Sequence, residues 1–441
     1  LKTEKRDRRA ARFRIAWGNH AIVYNPEKGR IQKQDGATVA IPKIPSARFP
    51  AFRDLSPKAL RSAFRPNCLT LFTGHHCNLS CRYCYGEPER DGGIDSIDPA
   101  VISPAAEFVA ANARRRGLPF VLGFHGSCEP LLRSDIIDPC LAICRNIARR
   151  FNVTLLPFCT TNGVISPAIA RWAADRFHGI TLSWDGPADL HDANRPTTEG
   201  RATEWVVQRT GRLFLDPRNG LNQLRVRVTA TRETAARLPE IAAYFHGHGI
   251  RHVEVYPVYQ TRRKTIPADL IPEPGPFVKG FALARHWAER RGMTLGYAGS
   301  RIDAFHDRFC PVFQDNLTLT TDGHPTACFQ VNRKTPDTEP FLYGSLTADE
   351  GDHFIDWVRL SGILRRLQYQ PDHCQSCFNR LHCAKGCPDA CPLEKNSLQS
   401  PEIDCRMSGS LGVLGLMSYA GIRIGPDDLE YLDDVFSGFE I

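Results

Sequence analysis

The stretch Cys68-Leu69-Thr70-Leu71-Phe72-Thr73-Gly74-His75-His76-Cys77-Asn78-Leu79-Ser80-Cys81-Arg82-Tyr83-Cys84 decides how this chain is read. An apolar run suited to a buried strand ends at Thr73, and three cysteines follow at C-x3-C-x2-C spacing. Three thiolates cannot complete a four-iron cube, because each iron needs its own outer ligand. The iron left open is where a substrate or cofactor would bind, as a catalytic zinc keeps one open position. A zinc site with His75 or His76 as fourth ligand is the competing reading, and chance clustering is the third.

Outward from this stretch, strand-like and helix-like segments alternate. Candidate strands are 68–73, 119–124, 153–160, 179–183, 224–230 and 251–258. Amphipathic helical patterns lie at 99–116, 134–150, 166–177, 202–214, 235–247 and 277–291. Six β/α repeats with Val-, Leu-, Ile- and Phe-rich strands predict a parallel sheet covered by helices. Function in such folds gathers at the carboxyl ends of the strands. The polar motifs fall there: Cys77–Cys84, then His125-Gly126-Ser127-Cys128-Glu129-Pro130, Thr161-Asn162-Gly163 and Ser183-Trp184-Asp185-Gly186.

The chain of 441 residues has room for two or three domains, and 42% hydrophobic and 24% charged residues are ordinary for a globular protein. No apolar stretch approaches the roughly 20 residues of a membrane span. The charged start, Leu1-Lys2-Thr3-Glu4-Lys5-Arg6, lacks the apolar core of a signal peptide, so a cytosolic enzyme is expected. Sixteen cysteines in such a chain point to metal or redox centres before disulfides. A net charge of +8 is scattered over helix faces and allows an acidic peptide partner. Nucleic acid is disfavoured for want of an arginine–aromatic stripe.

Residues 1–66 are basic, with two β-like runs, 11–24 and 29–41, around a turn at Asn25-Pro26-Glu27-Lys28-Gly29. They read as a hairpin packed on the core or as part of a peptide-recognition module. After about residue 300 the β/α rhythm is expected to end. Cysteine density then rises, with Cys310, Cys328, Cys374, Cys377, Cys383, Cys387, Cys391 and Cys405, predicting a region organised by metal more than by an apolar core. Pro426–Ile441 is acidic, a short helix or a tail. Cys68, Cys140, Cys144 and Cys159 fall on apolar faces and read as small core residues.

These motifs resemble the radical S-adenosylmethionine (radical SAM) enzymes that carry a SPASM auxiliary-cluster domain, over residues 68 to about 410. Cys77, Cys81 and Cys84 match the family's C-x3-C-x-Φ-C signature, with Tyr83 as the aromatic residue that lies against adenine. The resemblance implies an α/β fold, a partial (β/α)6 TIM-like barrel at 67–299, with an auxiliary iron–sulfur domain at 300–410. A small β-containing segment at 1–66 would precede these, and a C-terminal helix and acidic tail at 411–441 would follow.

The cofactors implied are S-adenosylmethionine, one radical SAM [4Fe–4S] cluster and two auxiliary clusters. Gly126-Ser127-Cys128-Glu129-Pro130 stands where the family has Gly-Gly-Glu-Pro, so Ser127 and Glu129 are expected at the methionyl ammonium. Cys128 departs from that pattern and is either a small buried residue or a thiol near the radical site. Asn162 and Ser183 fall where the family holds the ribose and carboxylate. Arg195 is a candidate carboxylate partner or a surface arginine.

The SPASM pattern, C-x9–15-G-x4-C, then C-x2-C-x5-C-x3-C, then one more cysteine, is met by Cys310, Gly323, Cys328, Cys374, Cys377, Cys383, Cys387 and Cys405. Family topology would give one cluster Cys374, Cys377, Cys383 and Cys405, and the other Cys310, Cys328 and Cys387. The second would be open or completed by Cys391.

Family activities are cross-linking of ribosomal peptides, epimerisation, and sulfatase maturation to formylglycine. Sulfatase-maturating relatives place an aspartate base where this chain has Phe329, which favours a cross-linking peptide maturase. Its partners would be a precursor peptide and a flavodoxin or ferredoxin reductant. Two other classes remain: a non-catalytic iron–sulfur electron-transfer or storage protein, and a zinc-dependent nucleic-acid binder.

Overall fold

The computed structural model describes residues 12–17, 19–41, 54–86, 96–126, 128–260, 265–303, 315–346, 354–367, 374, 377–384, 401–423 and 429. Ser127, Cys310, Cys387 and Cys391, together with the acidic C-terminal run, lie outside the described residues, Leu429 of that run excepted.

The chain opens with an antiparallel sheet of β1 (Phe13–Trp17), β2 (His20–Asn25), β3 (Arg30–Lys33) and β4 (Thr38–Ala40), in sequential order. Each β-like run of the sequence is thus two strands, turned at Asn19 in the first and at Asp35-Gly36 in the second. Gly36 has φ +83°, a left-handed conformation that a β-carbon resists. Alternation sends Phe13, Ile15, Trp17, Ile22, Tyr24 and Ile31 into the core. That face is packed: Phe13 meets Phe378 edge-on, the Tyr24 hydroxyl bonds His382 Nε2 at 2.5 Å, and Arg380 pairs with Glu27. The strands thus pack on the body of the protein through this face.

The main sheet holds β5 (Cys68–Leu71), β6 (Phe120–Phe124), β7 (Leu155–Thr161), β8 (Gly179–Ser183), β9 (Gln223–Ala230), β10 (His252–Pro257), β11 (Thr294–Tyr297), β12 (Asn316–Leu319) and β13 (Pro325–Thr326). Its order is β11-β10-β9-β8-β7-β6-β5-β12-β13. Every pairing is parallel except β12 with β13. The six strands read from the sequence run in chain order from β5 to β10, each joined to the next through a helical crossover. Local signals start and stop the helices. Ser166 caps Pro167–Arg176, Gly117 ends Ser103–Arg116, and Asn152 ends Ser134–Phe151 in a left-handed turn. The pattern at 235–247 splits into Arg232–Ala236 and Leu238–Gly247, because Pro239 sits in the first turn of the second helix.

Two features go beyond the expectations. β12 extends the sheet past residue 300, adding parallel to β5, with Asn316 opposite Cys68 and Leu319 opposite Leu71. The cysteine-rich region also has extensive apolar packing. Leu360, Leu364, Phe378, Met407, Leu416 and Met417 are buried in the same hydrophobic core as the barrel strands. Helix Pro401–Tyr419 carries both Cys405 and much of that apolar surface. The sequence pattern understated this because the helix is apolar on nearly every side and shows little amphipathic rhythm. Cys140, Cys144 and Cys159 are buried core residues, as read from their faces. Among the described residues no helix is long and apolar enough to cross a membrane.

Candidate active site

The carboxyl ends of β5 to β10 surround a cavity of about 170 Å³. Cys77, Cys81 and Cys84 line it together with Tyr83, Glu129, Asn162, Ser183 and Arg195, and Cys128 opens onto it too. The three-cysteine loop following β5 is pinned by its neighbours. Ser80 N–H donates to the Pro196 carbonyl (2.9 Å) and Arg82 N–H to the Asn194 carbonyl (3.0 Å). On the other side, Glu129 N–H donates to the His76 carbonyl at 3.0 Å. Gly126 makes that approach feasible: its φ is +149°, and a β-carbon there would lie 2.6 Å from the Phe72 ring.

Asn162, at the end of β7, holds the same loop by its side chain. Its Nδ2 donates to Asn78 Oδ1 at 2.9 Å and lies 3.7 Å from Cys77 Sγ, while its Oδ1 accepts from Val164 N–H. The carboxamide that the family would turn toward ribose is here engaged with the cysteine loop. Glu129 is buried at 1% exposure. Its Oε1 accepts from Thr161 Oγ1 (2.7 Å) and Leu131 N–H (3.1 Å), and its Oε2 from Asn162 N–H (2.6 Å). A carboxylate has about four acceptor positions, so this arrangement leaves room for one further donor. Burial pushes the carboxyl up to about 7 against the opposing pull of those hydrogen bonds. An ammonium placed there would restore its charge.

Asp185, in the Ser183-Trp184-Asp185-Gly186 motif, is the residue to which the sequence reading gave no role. It is fully buried and accepts from the Tyr83 hydroxyl, from Arg195 Nε (3.0 Å) and Nη2 (3.3 Å), and from Thr229 N–H (3.0 Å). No local sequence signal marks it, because its partners Tyr83, Arg195 and Thr229 come from separate segments. Arg195 is therefore not a surface residue: it is 6% exposed, pairs bidentately with Asp185, and stacks 5.2 Å over the Tyr83 ring. One face of Tyr83 is taken by that guanidinium. Arg195 Nη1 also reaches within 4.0 Å of Cys81 Sγ. Ser183 ends β8 on the cavity wall.

Burial raises the Cys81 thiol to about 11, and the Arg195 charge pulls the other way. Burial likewise raises Cys77, with the nearby Glu129 carboxylate adding to the rise. Such thiols stay protonated unless a cation takes the proton's place, which is what metal ligation does. Among the described residues no three His, Cys, Asp or Glu side chains converge on a single ion position. The trio shares a cavity wall instead, and its chemistry fits a cluster held by three thiolates with Glu129 and Ser183 beside it. Cys128 lines the cavity with its sulfur 3.6 Å from Thr73 Oγ1, and burial pushes its thiol up to about 11.

Of the cysteines expected to hold auxiliary clusters, Cys328 and Cys377 each accept a hydrogen bond at 3.4 Å from the backbone N–H two residues on, Gln330 and Asn379. Such N–H to sulfur turns favour a thiolate and tune a metal bound to it. Cys383 pairs through its backbone with Ser300, and Cys374, Cys383 and Cys405 are half-buried. Phe329, next to Cys328, packs edge-on against His125 at 5.4 Å, so the auxiliary region meets the cavity wall at that point. Burial lowers His125 to about 4, with Arg227 adding to the effect, and leaves a neutral imidazole.

No family model matches the chain. A serine-type anaerobic sulfatase-maturating enzyme of Klebsiella pneumoniae is 27% identical over 338 residues, spanning 71% of this chain and 80% of that protein. The structure of native anSMEcpe with bound AdoMet superposes with a TM-score of 0.62 at 17% identity, covering 83% of this chain and 100% of that one. Streptococcus suis SuiB bound to precursor peptide SuiA gives 0.55 at 15% identity, covering 78% and 76%. These likenesses establish the α/β barrel fold with a cysteine-rich C-terminal region. Signature, fold and relative agree: the chain is an enzyme with the fold of the radical SAM/SPASM structures and a cysteine signature that resembles theirs.

Proposed function

We propose that this enzyme cleaves S-adenosylmethionine reductively and oxidises a peptide substrate. The observation that carries the reading is the shared cavity of Cys77, Cys81 and Cys84 with Glu129 and Ser183. The first three would hold a [4Fe–4S] cluster, while Glu129 would take the methionyl ammonium and Ser183 the carboxylate. A cluster at these thiolates would supply the electron that splits the sulfonium, giving a 5′-deoxyadenosyl radical that removes a substrate hydrogen atom.

The chain's own groups do the rest. The Glu129 carboxylate orients the cofactor through its remaining acceptor position. Arg195 places positive charge beside Cys81, and Tyr83, Val258, Ile266 and Leu270 form a dry wall that excludes water from the reacting centre. Cys328, Cys374, Cys377, Cys383 and Cys405, with Cys310 and Cys387, would hold auxiliary clusters that accept the second electron. A flavodoxin or ferredoxin would deliver the first.

A peptide substrate is supported by SuiB, captured with a precursor peptide, and by the sulfatase-maturating relative. The same relative supports a second reading, oxidation of a serine to formylglycine, as well as it supports a cross-link. Phe329 still offers no carboxylate, and the His125 it touches, lowered to about 4 by burial, is a weak proton acceptor for that role.

The test is reconstituted enzyme with SAM, dithionite, the peptide encoded beside its gene, and a serine-containing sulfatase-motif peptide. Both readings expect one peptide to lose two hydrogens by mass. A product that reacts with hydrazide is the aldehyde of formylglycine, and one that does not is a cross-link. Deuterium uptake from D2O at constant connectivity would instead mark epimerisation. Reductive SAM cleavage with both peptides unchanged would remove the peptide assignment.

A further inference from the structure

Among the described residues, Arg195 and Arg227 are the two arginines that line the cavity. Asp185 neutralises Arg195, whereas among the described residues Arg227 makes no ion pair. Arg227 lies on β9 opposite Ser183 of β8 and opposite Glu254 of β10. Glu254 feels the Arg227 charge but makes no ion pair with it, because its carboxylate leans over Gly296 of β11. A β-carbon on that glycine would come within 2.5 Å of Glu254 Oε2. The Arg227 guanidinium lies instead over the Tyr256 ring, 4.1 Å from the ring centre. Stacking uses the flat face of a guanidinium and leaves its N–H edge for in-plane acceptors.

A half-buried cation with an unused donor edge, in a cavity already built for chemistry, calls for an anionic ligand. Arg225, two residues earlier on the same face of β9, is exposed. The basic strip therefore runs from solvent into the cavity, and a ligand that extends out of the cavity can follow it. A peptide does so, and an enclosed cofactor does not.

We propose that Arg227, held in place by Tyr256, is a subsite for a carboxylate of the peptide substrate, either an acidic side chain or a free C-terminus. This rests on the peptide reading of the function. The cofactor's own carboxylate carries the same chemistry, so the test separates the two sources.

The probes are short fluorescein-labelled peptides with one central serine, made in pairs that differ only by Glu against Gln at one position, or by a free acid against an amide at the C-terminus. Anisotropy is read on the reconstituted, SAM-saturated holoenzyme. The acid member of at least one pair is expected to bind about tenfold more tightly, the scale of one charge-assisted contact. Arg227→Gln should bring that ratio to unity, and Arg227→Lys should keep part of it because a point charge replaces the fork. Tyr256→Leu should lower it by freeing the guanidinium. Iron content and circular dichroism check that each variant folds. If Arg227→Gln does not fold, a graded loss in the other two variants supports the subsite and an unchanged ratio in both overturns it. Equal binding of every pair by the native enzyme overturns the proposal, as does a preference that survives Arg227→Gln. Weaker SAM binding in Arg227→Gln with the peptide preference intact assigns the arginine to the cofactor and also overturns it. Acid-selective binding without any peptide losing hydrogens supports the subsite while removing the proposed reaction.

Discussion

At the barrel rim, all three cysteines proposed for the radical site come from the eight residues 77–84, whereas the described thiols proposed for auxiliary clusters come from positions 328 to 405. The first set is positioned by hydrogen bonds arriving from three neighbouring strand ends: Glu129 after β6, Asn162 after β7, and the 194–198 segment after β8. The second is positioned by tertiary packing. Helix Pro401–Tyr419 buries Met407, Leu411, Leu416 and Met417, and Phe378, next to Cys377, packs against β1. Polar lacing lets a short loop hold its geometry within a cavity that must admit a ligand. Apolar packing suits a site whose ligands are far apart in sequence, because burial is non-directional and tolerates long connections.

The sharpest way to break the comparison is to remove one thiol from each region. Cys77→Ala should abolish 5′-deoxyadenosine formation, while Cys328→Ala should retain part of it and lose modified peptide. Chromatography of the nucleoside and mass spectrometry of the peptide read the two effects. Equal loss of both in the two variants would mean that the auxiliary region serves folding of the rim.

Next in size is the buried pair beneath the rim. Asp185→Asn strands the Arg195 charge and leaves one acceptor oxygen where Tyr83 and Thr229 now use two, which should cost about 3–5 kcal/mol in urea denaturation. Replacing Asp185 and Arg195 together by apolar residues of similar volume should cost much less. A single variant as stable as the native chain would show that the rim does not depend on this network.

Glu129 provides a pH-dependent test. Its carboxyl is raised to about 7 in the fold by burial, from an ordinary value near 4.5. The folded chain thus keeps a proton that the unfolded chain releases. The associated stability is complete below about pH 4.5 and is lost as pH rises through about 7. Relative to Glu129→Gln, which cannot titrate, the cluster-free native chain should lose up to about 3 kcal/mol across that window. A parallel pH profile for the two proteins would contradict a desolvated carboxyl.

The smallest effect belongs to the seam between the N-terminal sheet and the cysteine-rich region. Tyr24→Phe deletes the hydroxyl contact with His382 but keeps the ring, so about 1 kcal/mol is expected. A loss several times larger would make that contact a support of the whole auxiliary region.

The same contrast explains what could be read from sequence. The strands from β5 to β10 and the cysteine loop were legible because each is set locally, by apolar runs, turn residues and fixed spacing. Glu129 and Ser183 could be placed on the rim for the same reason. Asp185 was not legible, since its role depends on Tyr83, Arg195 and Thr229 meeting it from three separate segments. Arg195 left two readings open because one sequence does not reveal whether an arginine is buried. β12 escaped notice because four residues, Asn316–Leu319, carry too little periodicity, and its partner β5 lies about 250 residues earlier. The apolar anchoring of the C-terminal region was hidden by its cysteines, which drew the reading toward metal more than toward an apolar core.

The central claim is that the Cys77, Cys81 and Cys84 cavity cleaves S-adenosylmethionine. Anaerobic incubation of reconstituted protein with the cofactor and dithionite tests it most directly, by following 5′-deoxyadenosine. The account predicts the nucleoside from the native chain and none from Cys77→Ala at matched auxiliary iron content. Equal nucleoside from both proteins, or none from a fully iron-loaded native chain, would contradict it.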